Sequence, residues 1–184
     1  MSDKTDTFRT KISGWWSPRH SILNGEGQLL GVLTIERNWR GMIVGGEYQP
    51  EKGERLLMRR EPGLQRAQFS LWTAEREWLG SSIRPHPFQR RIDVWTGVRP
   101  YRVVPKLTLG RGWRVVASKT GEVASIDQPL VPRGSTWHSQ PKIDFELLLF
   151  CYFLGSLAPM ESLLPTSIDA PNRSDNPKTA HQGS

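Results

Sequence analysis

The chain has 184 residues, with 25 Lys plus Arg against 18 Asp plus Glu, a formal charge of +7 with its histidines neutral. That length supports one domain with a sizeable core, and 36% hydrophobic with 23% charged residues excludes both a wholly disordered chain and a fibre. One cysteine excludes a disulfide framework and a multi-cysteine zinc site, while 17 Gly, 14 Pro and 8 Trp suit a turn-rich all-β protein.

Residues 1–13 are polar and mixed in charge, without the basic-then-apolar order of a secretory signal. They are expected to form a disordered arm of a cytoplasmic protein. From residue 14 onward, short segments alternate with turn residues. Ile22 to Asn24 leads through Gly25 into a strand over Leu29 to Glu36, followed by Gly41 to Gly46 and Arg55 to Arg60. In Ala67 to Trp72 the odd positions are apolar and Gln68 and Ser70 point the other way, the period of a half-buried antiparallel strand. Further strands are expected over Glu77 to Ile83, Arg91 to Val94, Tyr101 to Leu109, Gly112 to Ala117 and Glu122 to Ile126. Pro105 removes a ladder donor, so a bulge, bend or edge is expected there.

Residues 144–158 differ in kind. Asp144 suits an N-cap, Glu146 lies where the helix dipole favours it, and Pro159 stops the helix. From Leu147 to Leu154 every residue is apolar, on every face. Such a helix is surrounded by protein or by lipid, and this one falls short of the ~20 residues that span a bilayer. No transmembrane span is expected. Strands that wrap the helix would satisfy both halves of the chain, so the expected fold is a mainly β, closed antiparallel barrel enclosing a hydrophobic C-terminal helix. The domain then covers residues 14–162, and residues 163–184, rich in Pro, Ser, Asn and Asp, are expected to be a disordered tail.

The order of short strands, a late Thr120-Gly121-Glu122-Val123-Ala124-Ser125-Ile126, then Ile143-Asp144 opening the helix Phe145 to Leu157, resembles the tubby-like superfamily. That group includes the phospholipid scramblases and the LURP-one-related proteins of plants. The resemblance covers roughly residues 15–162 and implies a barrel of about 12 strands around a central helix. It does not imply one function: tubby proteins bind phosphoinositides and scramblases are membrane-associated. The chain lacks the acylated cysteine cluster and the acidic calcium loop of scramblases.

Charge is uneven. Between residues 84 and 114 stand Arg84, Arg90, Arg91, Arg99, Arg102, Lys106, Arg111 and Arg114 against Asp93 alone, interleaved with Phe88, Trp95, Tyr101 and Trp113. Arginine forks bind phosphate, and Trp sits at membrane interfaces or stacks on bases. The sharp reading is an anion-binding surface; the plain one is solvated strand faces with aromatics packing the barrel. Trp72 and Trp95 fall on outward parity, but a one-residue slip reverses parity, and burial is the favoured expectation. The expected function is to bind anionic phospholipid headgroups or tether partners at the cytoplasmic membrane face, with a nucleic-acid-binding or regulatory module on the same basic surface as the alternative; the sequence names no particular protein partner. His20, His86, His138 and His181 are scattered, as surface or turn histidines would be, and Cys151 reads as a buried inert thiol. No nucleophile elbow, phosphate-binding loop or dinucleotide fingerprint is present, so a non-enzymatic protein without metal or cofactor is expected.

Overall fold

The computed structural model describes residues 5–14, 18–62, 68–84, 91–106, 111–129, 134–141 and 143–156. The first six strands are β1 (Asp6–Ser13), β2 (Arg19–Asn24), β3 (Leu29–Arg37), β4 (Ile43–Pro50), β5 (Leu56–Arg60) and β6 (Phe69–Thr73). They are followed by β7 (Trp78–Ile83), β8 (Ile92–Trp95), β9 (Pro100–Pro105), β10 (Arg111–Ala117), β11 (Gly121–Gln128), β12 (Gly134–Ser139) and one helix, α1 (Phe145–Ser156). Each strand pairs antiparallel with its neighbours in sequence, and β12 pairs back onto β1, closing a twelve-stranded barrel. Closure removes the exposed edges that would otherwise template aggregation.

Alternation explains most of the wall. In β3, Gly31, Leu33 and Ile35 face inward, and in β9 Tyr101 and Val103 do. Pro105 ends β9, as its missing N–H dictates, and the expected extension over Leu107 and Leu109 lies outside the described residues. The expected disordered arm over residues 1–13 is corrected: Asp6–Ser13 is β1, in register with β12 on one side and β2 on the other. Its inward row is Phe8, Thr10 and Ile12, and the buried Thr10 hydroxyl bonds Ser135 Oγ at 2.8 Å. The expected tail over residues 163–184 lies outside the described residues.

Three connections share one design. Asn24 Oδ1 accepts from the N–H groups of Glu26 and Gln28, and Asn38 Oδ1 from those of Arg40 and Met42, at 2.9–3.0 Å. In both, the fourth residue is a left-handed glycine, Gly27 at φ 83° and Gly41 at φ 78°. The loop after β6 repeats this with Thr73 Oγ1 as acceptor from Glu77 N–H, and with Arg76 at φ 70° in the glycine position.

Helix α1 fills the barrel. Leu147 to Leu154 are each at most 5% exposed. Its side chains meet the wall all round: Phe145 touches Phe8 and Tyr48, Phe153 packs edge-on against Phe69, and Tyr152 lies 4.5 Å from the Trp137 ring. The helix starts at the mouth where even-numbered strands end, here the near mouth, and runs toward the far mouth. There Gly155 lies against the Trp113 ring, where a Cβ would come within 2.9 Å. No helix among the described residues is long and apolar enough to cross a membrane.

Candidate functional site

Six of the eight singled-out cations can be placed with their side chains. Arg90 lies outside the described residues, and so does the side chain of Arg111, whose backbone opens β10. Arg102 and Arg114 stand on the outer wall of β9 and β10, and Arg91 immediately precedes β8. Arg91 makes a two-pronged bond to Asp93 at 2.8 and 2.9 Å, which raises its pKa through those hydrogen bonds. Arg102 is in register with Asp93 and its Nε lies 3.7 Å from the same carboxylate. Arg114 reaches Glu122 at 3.9 Å, and Lys106 bonds Asp127 at 2.6 Å. Arg84, just past β7, is half-buried; desolvation lowers its pKa, and its Nε has no hydrogen-bond partner. Arg99 stands apart, exposed in the loop after β8 at the near mouth. The basic stretch is therefore a wall plus the far mouth, laced with three carboxylates, and not one uninterrupted cationic face.

Two of the four interleaved aromatics, Tyr101 and Trp113, do not join it. Neighbours on a strand point to opposite faces, so outward Arg102 and Arg114 force Tyr101 and Trp113 inward, each 7% exposed. Phe88 lies outside the described residues. Trp95 is outward and 46% exposed, which corrects the expectation of burial. Trp72 is half-buried, and its indole N–H donates to Ser70 Oγ at 2.7 Å. Ser70 in turn donates to the Glu61 carboxylate.

Two features had no sequence signal. A cleft of about 620 Å³ opens at the near mouth between the first half of α1 and the β6, β7 and β9 wall. Leu71, Leu79, Leu147 and Phe150 line its apolar side, with Glu54, Arg99, Asp144 and Glu146 among its polar groups. These residues come from separate elements, so no spacing announces them. Inside the barrel, His20 is 2% exposed and not the surface histidine expected. Its Nδ1 lies 2.8 Å from the Tyr152 hydroxyl and its Nε2 has no partner, while Ser135 Oγ nearby accepts the Trp137 indole N–H at 2.8 Å. Burial pulls the His20 pKa down from 6.5 to about 4 and pushes the Cys151 thiol up to about 12. His86 and His181 lie outside the described residues, and His138 is exposed on β12. Among the described residues no group of three or more His, Cys, Asp or Glu could hold a metal ion.

The chain matches no family model and no curated protein sequence. Its fold is similar to the X-ray structure of a protein from Arabidopsis thaliana, the product of locus AT5G01750, with a TM-score of 0.54. The two chains are 17% identical, and the match covers 78% of this chain and 86% of that one. At that identity the likeness concerns the fold alone. It fits a closed barrel with a single C-terminal helix.

Proposed function

We propose that this protein is a non-enzymatic barrel module that binds anionic phospholipid headgroups at the cytoplasmic face of a membrane. We also place it as a divergent relative of the tubby-like superfamily, on the strength of its twelve-stranded barrel around a C-terminal helix. The observation that carries the lipid reading is the group of cations at the ends of β7, β8 and β9, Arg84, Arg91 and Lys106. Because α1 occupies the barrel interior, charged ligands meet the outside, and there Arg91 is held by the carboxylate of Asp93 and Lys106 by that of Asp127. Exposed ion pairs contribute little to stability, so a phosphate can displace Asp93 from a guanidinium at small cost and gain a charge-assisted bond. The burial of Tyr101 and Trp113 beside these strands weighs against nucleic acid, since single-strand binding leans on exposed rings for base stacking.

The test is a parallel titration in one low-salt buffer with anionic vesicles, neutral vesicles, and single- and double-stranded oligonucleotides. Binding to anionic vesicles alone is expected. Tighter binding to an oligonucleotide than to vesicles would replace the lipid reading with the nucleic-acid one.

A further inference from the structure

Because each strand of a closed antiparallel ring reverses direction, the loops after odd strands lie at the far mouth and those after even strands at the near mouth. Their charges differ. Among the described residues, the far-mouth connections carry four cations, Arg40, Arg84, Arg91 and Lys106, against one carboxylate, Glu61. The near-mouth connections carry six carboxylates, including Glu26, Glu75 and Asp144, against five cations. The barrel is thus polarised along its axis.

The far mouth also carries the most exposed large apolar side chain described. Trp39, at the tip of the loop after β3, is 86% exposed, and the Arg40 guanidinium stacks over its ring at 4.5 Å. A solvated Trp on a loop held rigid by Asn38 has no packing role in the barrel. A rigid aromatic beside cations has the composition that settles at the headgroup level of a bilayer.

From the coincidence of this tryptophan with the cationic mouth we infer that the barrel docks end-on, far mouth down, on an anionic phospholipid surface, with Trp39 entering the headgroup layer. This rests on the lipid reading above and says which residues make the contact. Distance separates the two groups of arginines. Arg102 lies four residues up β9 from Lys106, about 13 Å along the strand. That exceeds the ~8 Å over which physiological salt screens charge. Arg102 then contributes little, and Arg99, at the other mouth, contributes nothing.

Three variants in the full chain test this by co-sedimentation with vesicles containing phosphatidylserine, at physiological salt. All three change exposed or partly exposed side chains, and circular dichroism confirms that each stays folded. Arg40→Gln with Trp39→Ser should weaken binding about tenfold or more, of which the arginine supplies about fivefold. Arg102→Gln on the outer wall, and Val98→Ser at the near mouth, should each stay within about twofold of wild type. As a second readout, dyes at Trp39→Cys and Val98→Cys report separately, because the natural Cys151 is fully buried. Vesicles should blue-shift the dye at 39 and not the dye at 98. If wild type binds and only the wall variant weakens it, the end-on geometry is overturned while the lipid reading survives. If wild type binds no anionic vesicles, the lipid reading falls and takes the docking geometry with it.

Discussion

Acid should loosen this protein through one residue. His20 faces the Tyr152 hydroxyl at 2.8 Å in the buried barrel interior, so a proton on its ring would be an uncompensated buried charge. Its folded pKa is about 4 against 6.5 for the free side chain. Above pH 6.5 both folded and unfolded forms are neutral and the residue makes no pH-dependent contribution. As pH falls below 6.5 the unfolded chain takes up the proton and the folded chain does not, so stability drops. The slope approaches about 1.4 kcal/mol per pH unit and levels off near pH 4, for a total of about 3 kcal/mol. Other groups add to the pH dependence of the whole protein, so the quantity to read is a difference. Urea unfolding of wild type and His20→Gln, which keeps a hydrogen-bonding group but cannot titrate, should give curves that diverge between pH 6.5 and 4. A lower starting stability of the variant is immaterial; only its flatter slope matters. Parallel curves would show that His20 is not held neutral in the core.

Three further outcomes follow from the packing. Arg76→Gly should raise stability by about 1 kcal/mol in urea melts, since Arg76 bears a left-handed φ that Gly27 and Gly41 adopt without strain in the sister loops. Gly155→Ala gains helix propensity of up to ~1 kcal/mol but drives a Cβ to 2.9 Å from the Trp113 ring, and overpacking of about 1–3 kcal/mol should win, lowering the melting temperature. A chain ended at Pro141 loses the helix that fills the barrel and should be insoluble or melt without cooperativity. A soluble, strand-rich and cooperative product would show that the barrel stands without α1.

What could be read from the residues tracks where apolar residues sit. Strands β3 to β11 announce themselves because their inward rows are mostly apolar, and α1 because it is apolar on every face. Strands β1 and β12 do not, because polar side chains face inward. Thr10 and Ser135 satisfy each other across the seam, and Ser139 is buried on β12. A strand held by two neighbours needs little hydrophobicity of its own. The cations of the site were visible in sequence, but two of their partners were not: Asp127 and Glu122 arrive from β11. Asp93 was visible, yet only the β8–β9 register brings Arg102 beside it. The charge difference between the mouths depends on strand order and appears only once the ring is closed.

The most direct measurement is the partition of wild-type protein onto vesicles as phosphatidylserine replaces phosphatidylcholine at low salt. Binding should rise with the anionic fraction and fall as salt is added, because the contact is between basic side chains and phosphates. No binding at any anionic fraction, or equal binding to purely zwitterionic vesicles, would contradict the lipid reading.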